Sequence, residues 1–140
     1  MALSFPSVGW IEGYKKQINS SEEYKKAAAS WTAGPVALVV LAKPEIGLNE
    51  DWGIWLDLHQ RVCREAKKVS LKEAHKAPFC ITGDYARWKQ VVKKELGPVK
   101  GMMQGKLKLK GSLPTIVRYV KAAQELVECS TRVETKFLDE

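Results

Sequence analysis

Between residues 53 and 60 side chains alternate between two faces, one apolar and the other only partly so. Ile54, Leu56 and Leu58 fall on one side and Trp55, Asp57 and His59 on the other, the period of a half-buried β-strand. Residues 61–69 alternate less cleanly, with Val62, Arg64 and Ala66 opposite Cys63 and Glu65, and read as a further strand after a tight turn. The unbroken branched run at residues 36–42 has the composition of a central strand, and residues 78–82 form a short one with Phe79 and Ile81 on a shared face. At residues 106–110 three lysines alternate with Leu107 and Leu109 between Gly105 and Gly111. That pattern predicts a half-exposed strand near an edge, where lysines discourage pairing with a second chain.

Helical spacing governs the remainder. Val8, Ile11, Tyr14 or Lys15, and Ile18 recur at helical spacing after Pro6, and residues 1–5 read as a loose lead-in. A second start at Ser20, with Glu23 three residues on, leads into the stripe Tyr24, Ala27, Ala28 and Trp31; the aromatics of both helices read as core, with contact to a bound apolar molecule as the alternative. The pattern leaves open whether Asn19-Ser20 is a kink or a break. Residues 70–76 suit one or two turns. Asp84 caps a helix over residues 85–96 whose inner face carries Trp88, Val91, Val92 and Leu96, stopped by Gly97-Pro98. Ser112 caps a last helix through residue 127 with Leu113, Ile116, Val117, Val120, Ala123 and Val127 inward. Residues 129–140 have mixed periodicity that fits a strand, a helix extension or a tail. Consecutive short strands pair antiparallel, so the order predicts an α+β fold: a single five-stranded, mainly antiparallel sheet covered by helices, in one domain over residues 1–140.

Composition adds a charge bias. Lys and Arg number 23 against 16 Asp and Glu, a net charge of +7, which favours anionic partners without choosing among them. Eight basic residues stand between 87 and 110 (Arg87, Lys89, Lys93, Lys94, Lys100, Lys106, Lys108 and Lys110), opposed within that window only by Glu95. Arg87, Lys94, Lys106, Lys108 and Lys110 are the candidate contacts to an anionic surface. No aromatics interleave the lysine strand and no helix-turn-helix signal appears, so no specific nucleic-acid partner is expected. Cys63, Cys80 and Cys129 with His59 and His75 match no metal spacing and read as buried thiols of a reducing cytoplasm. The longest apolar run is far shorter than the roughly 20 residues that span a bilayer.

Catalytic signatures do not surface: there is no nucleophile elbow, phosphate-cradling glycine loop or HExxH pair. Asp57, His59 and Glu65 are the one acid/base grouping worth following. A greasy cavity between helix and sheet fits the residues better. Trp88, Val92, the last helix and the thioether pair Met102-Met103 would enclose it, and flexible methionines suit walls that fit changing apolar shapes.

Gly83-Asp84, Trp88, Met102-Met103 and the segment Gly105-Lys106-Leu107-Lys108-Leu109-Lys110-Gly111 together resemble the sterol carrier protein type 2 family. The paired N-terminal helices resemble those of its stand-alone prokaryotic members. The resemblance implies a five-stranded sheet with helices on one side and a hydrophobic tunnel that takes fatty acids, fatty acyl-CoA, phospholipids or sterols without changing them. It implies that Trp88, Met102, Met103, Leu107 and Leu109 line or support the cavity with Ile116, Val117 and Val120. Two departures are visible. The chain ends Phe137-Leu138-Asp139-Glu140 where peroxisomal members carry a small-basic-leucine tripeptide, and it continues past the last helix, where residues 129–138 would reshape the cavity mouth.

The expected function is therefore non-enzymatic lipid binding and transport without cofactor or metal. The partners would be a long-chain lipid or acyl-CoA and, transiently, an anionic membrane, with a homodimer left open. The competing reading is a protein-interaction or regulatory module using the same apolar surface.

Overall fold

The computed structural model describes residues 2–140. Its centre is a mixed sheet of five strands, β2 (Val36–Val40), β3 (Trp52–His59), β4 (Val62–Val69), β5 (Phe79–Gly83) and β6 (Lys108–Lys110), in the order β4-β3-β2-β5-β6. β2 lies parallel to β5 and every other neighbouring pair is antiparallel. The predicted α+β architecture is thus the observed one, with the short lysine strand β6 at an edge.

Central β2 is covered on both faces, which is why its run is apolar without alternation. Val36, Leu38 and Val40 join Ile54, Leu56, Leu58, Phe79 and Ile81 on the inner face. Ala37, Val39, Val69 and Cys80 form a smaller outer cluster under α3 (Leu71–Ala74). A bulge disturbs β4: Leu56 pairs with Ala66 but Leu58 pairs with Cys63. Two residues, Arg64 and Glu65, therefore oppose one, and Cys63 and Ala66 turn to the same side although strict alternation separates them.

The inner face is roofed by α1 (Val8–Ser20), α2 (Glu22–Ala27), α4 (Tyr85–Val92), α5 (Pro98–Met103), α6 (Leu113–Arg118) and α7 (Val120–Thr131). Serine or aspartate side chains start most of these helices by accepting from a free amide. Ser7 accepts from Trp10, Ser21 from Tyr24, Asp84 from Arg87 and Ser112 from Thr115. The second helix thus starts one residue later than the sequence suggests, after a true break. α4 ends at Val92, four residues early, and α5 occupies a stretch read as loop. The single helix expected to residue 127 is two, divided at Tyr119, whose hydroxyl donates to the Ser30 carbonyl at 3.0 Å.

The chain ends meet. β1 (Leu3–Phe5) runs parallel to β7 (Thr135–Phe137), joining Leu3 to Thr135 and Phe5 to Phe137. The lead-in is therefore ordered strand from Leu3, while Met1 lies outside the described residues. Buried Tyr85 closes the corner: its hydroxyl donates to Phe5 O at 3.0 Å and accepts from Leu138 N at 2.9 Å. Outside it, Lys89 pairs with Asp139 and Glu140, and Lys93 with Glu140. Both lysines also stand over the Phe137 ring, at 5.4 and 5.3 Å from its centroid.

The lysines hold the Glu140 carboxyl down to about 2, against an ordinary value of 4.5. A carboxyl whose folded value is depressed stabilises the fold above its unfolded value and loses that contribution as pH falls. The terminal clasp is therefore expected to be intact above pH 4.5 and to loosen between 4.5 and 2. Amide hydrogen exchange over β1 and β7 checks this, since faster exchange there should precede global unfolding. The same loosening should appear at high salt, because these ion pairs face solvent.

A cavity between sheet and helices as the candidate functional site

Strict alternation in β3 aims Ile54, Leu56 and Leu58 at the helices, and Leu38, Val40 and Ile81 extend that floor across β2 and β5. Trp10 and Tyr14 of α1, Tyr24 of α2, Trp88 and Val92 of α4, Met102 of α5, Ile116 of α6 and Ala122 and Leu126 of α7 supply the roof. Together they enclose a cavity of about 110 Å³. Among the described residues no charged side chain lies on its wall.

The polar atoms on that wall are almost all held by the protein itself. The indole nitrogens of Trp10, Trp31 and Trp88 donate to Thr135 Oγ1 (2.8 Å), Gly34 O (3.0 Å) and Val39 O (2.8 Å). Tyr14 Oη donates to Leu126 O at 2.8 Å and Ser130 Oγ to Val127 O at 2.6 Å. Burial pushes the Tyr14 and Tyr24 hydroxyls well above the usual phenol range, so both remain neutral. Gly83 lets two wall residues close in: a Cβ there would stand 2.7 Å from Leu107 Cδ2 and 3.2 Å from Trp88 Nε1.

Of the residues proposed from sequence for the cavity, Trp88, Val92, Met102, Leu107 and Ile116 lie on its wall. Four do not. Met103 is 66% exposed, because α5 is a helix and turns successive residues about 100° apart. Val117 and Val120 are 44% and 37% exposed. Val117 falls on the outer side of α6 and Val120 opens α7 after the break at Tyr119; Tyr119, Ala122 and Leu126 join the expected Ala123 and Val127 on the wall. Leu109 pairs with Ile81 at the sheet edge and packs against the core without reaching the cavity. The aromatics of α1 and α2, for which the sequence leaves core packing and contact with a bound apolar molecule both open, are core and wall at once. A lone phenol on an otherwise apolar helical stripe was the available signal.

The basic cluster is also redistributed. Lys94 pairs with Glu128, and Lys110 Nζ donates to the His75 carbonyl. Arg87 donates to Gln90 Oε1 at 3.2 Å. Lys106 and Lys108 are exposed and make no ion pair among the described residues. The carboxylates that opposed this cluster lie far along the chain, out of reach of a local window.

The acid/base grouping does not assemble. Asp57 accepts from Arg64 Nε at 3.2 Å and Nη2 at 3.1 Å, and Glu65 pairs with Lys67 at 3.2 Å. The cysteines are free and buried, and burial holds the Cys63 thiol up at about 11. Among the described residues no group of His, Cys, Asp or Glu could hold a metal ion, and no helix is long and apolar enough to cross a membrane.

An uncharged cavity roofed by helices over a five-stranded sheet has the form of a small-molecule binding site. The family model of the SCP-2 sterol transfer family matches residues 11–124, and the chain belongs to that family. A crystal structure of sterol carrier protein 2 is 36% identical, covering 91% of this chain and 97% of its own, with a TM-score of 0.82. The solution structure of a possible sterol carrier protein from Thermus thermophilus is 35% identical over 93% of this chain and 90% of its own, also at 0.82. Sterol carrier protein 2 from Yarrowia lipolytica, at 15% identity, 87% and 89% coverage and a TM-score of 0.56, shares the fold. No curated protein sequence matches. Membership makes this chain one of a family associated with lipid binding and transfer. The family's fold is generally non-catalytic, although some of its domains occur in enzymes.

Proposed function

We propose that this chain acts as one domain that binds a long-chain lipid in the cavity and exchanges it with membranes, without chemical change. The observation that carries the reading is a wall with no charged side chain, built jointly by sheet and helices. Each methylene moved there from water is worth about 0.8 kcal/mol, so a long acyl chain gains on the order of 10 kcal/mol before costs. Sites for drug-sized ligands run to roughly 300–1,000 Å³, well above the present 110 Å³. Entry of a long chain therefore requires the roof to yield, and the short segments α5 and α6 with the break at Tyr119 are the natural place.

The same segments suit a membrane surface. Met103, Val117 and Val120 are exposed apolar groups, and Lys100, Lys106, Lys108, Arg118 and Lys121 lie in the sequence around them. Lysines near an anionic leaflet gain about 1 kcal/mol each, and the same side chains suit the phosphates of an acyl-CoA whose tail is buried. Three buried free thiols agree with a reducing cytoplasmic setting.

Native mass spectrometry of protein purified without detergent should show a bound acyl lipid that solvent extraction removes. A protein that carries none, and that also fails to take up a fluorescent fatty acid or acyl-CoA, would sink the carrier reading. Replacing Lys106 and Lys108 together by glutamine should slow uptake from anionic vesicles about three- to tenfold at low salt and leave uptake from neutral vesicles unchanged. Equal slowing from both would argue against a surface role for these lysines.

A further inference from the structure

The cavity wall carries one polar side-chain group that the protein leaves without a partner. Tyr24 is 1% exposed and lies on the wall. Its amide is used by Ser21, but its hydroxyl makes no hydrogen bond among the described residues. The three wall indoles, Tyr14, Tyr119 and Ser130 all have internal acceptors. Among the described residues every fully enclosed side-chain nitrogen or oxygen has a partner, so the Tyr24 oxygen keeps some accessible surface, and Tyr24 is a residue of the cavity wall. A hydroxyl held away from bulk water without a partner is unfavourable, and native wall groups of this kind are usually met by what occupies the site. We infer that Tyr24 Oη is the polar anchor of the cavity, and that it selects a lipid whose buried end carries one neutral oxygen group, such as a hydroxyl, over a bare hydrocarbon or an ionised head.

Two features narrow the ligand. First, a phenol can both donate and accept, so an alcohol or carbonyl oxygen satisfies it equally. Second, no cation among the described residues stands on the wall, so an ionised carboxylate or phosphate drawn into the cavity would be desolvated without a counter-charge from them. An ionised head belongs outside, with the tail alone inside. Burial holds the Tyr24 proton on, so its anchoring does not change across the physiological pH range. The contrast with Tyr14 is informative: the two phenols share the cavity, but Tyr14 already ties α1 to α7 through the Leu126 carbonyl.

The inference rests on the lipid-carrier reading, and one set of measurements separates the two. Dodecanol, dodecane and dodecanoate, delivered from cyclodextrin, compete with a bound fluorescent fatty acid on wild-type protein and on Tyr24→Phe. Wild type should prefer dodecanol to dodecane by about tenfold, and Tyr24→Phe should abolish that preference while binding dodecane and dodecanoate as before. Its melting temperature without ligand should be unchanged or raised, because an unpartnered hydroxyl has gone. Tyr14→Phe should instead lower the melting temperature and keep the preference. Binding of dodecane and dodecanol with equal affinity by wild type would overturn the Tyr24 inference and leave the carrier reading standing. Failure of wild type to bind the fluorescent fatty acid or any competitor would overturn both. An equal loss of dodecanoate in Tyr24→Phe would overturn the restriction to a neutral group.

Discussion

Ala122→Phe is expected to abolish uptake of a long acyl chain without unfolding the protein. Ala122 is buried on α7 with its methyl on the cavity wall. A phenyl ring there occupies much of a 110 Å³ space in which the protein has no other use for the volume. Filling a void is neutral to stabilising where the ring fits, and overpacking costs about 1–3 kcal/mol where it does not, so the fold survives either way. A ligand must then displace both the roof and the ring. Titration with a fluorescent fatty acid should show affinity reduced at least about a hundredfold, or roughly 2.7 kcal/mol, with the circular dichroism spectrum unchanged. Full retention of affinity would place the lipid elsewhere.

The second large effect concerns stability. Gly111 joins β6 to the cap of α6 at φ +138, a conformation that residues with a Cβ rarely adopt. A Cβ added there would lie 2.6 Å from the Pro78 carbonyl oxygen and 3.0 Å from Phe79 Cδ1. Both contacts belong to the chain entering β5, which is pinned in the sheet and cannot retreat cheaply. Gly111→Ala should therefore cost about 3 kcal/mol, combining backbone strain with a clash against main chain, and lower the melting temperature by roughly 10 °C. Gly105→Ala is the control. Its φ is +74, but nothing lies within 4 Å of the new carbon, so about 1 kcal/mol is expected. Equal losses in the two variants would show that the clash is relieved and only the torsion counts.

What the sequence made legible follows from how local each signal is. The β3 alternation needs only neighbouring residues, and it assigned the buried side of that strand correctly. Capping serines and Asp84 located helix starts to within a residue because a cap acts over three positions. α5 was hidden because Gly97-Pro98, Gly101 and Gly105 look like loop, although proline is well suited to a first helical turn. A strand at β7 stays one of three alternatives for residues 129–140 for a different reason: a three-residue strand has almost no periodicity, and its partner β1 lies at the far end of the chain. The four residues that lie off the cavity have different causes. Met103 is on the outer side of a helix that reads as loop, Val117 is on the outer side of α6, Val120 follows the break at Tyr119, and Leu109 keeps its register with Ile81 but stands at the sheet edge. The pairing of Lys89, Lys93 and Lys94 with Asp139, Glu140 and Glu128 is tertiary, so the cluster looked more basic than its surface is.

The parallel pairing of β1 with β7 also decides how the molecule bears a mechanical load. A pull on the two chain ends draws these strands in opposite directions along their own axes. Their hydrogen bonds are then sheared together, not peeled one after another as in an antiparallel hairpin opened from its end. The Tyr85 hydroxyl, bonded to both strands' neighbourhoods, stands across that slip plane. Tension applied through the termini therefore meets its first resistance at this corner, and the cavity behind it is shielded until the corner gives way.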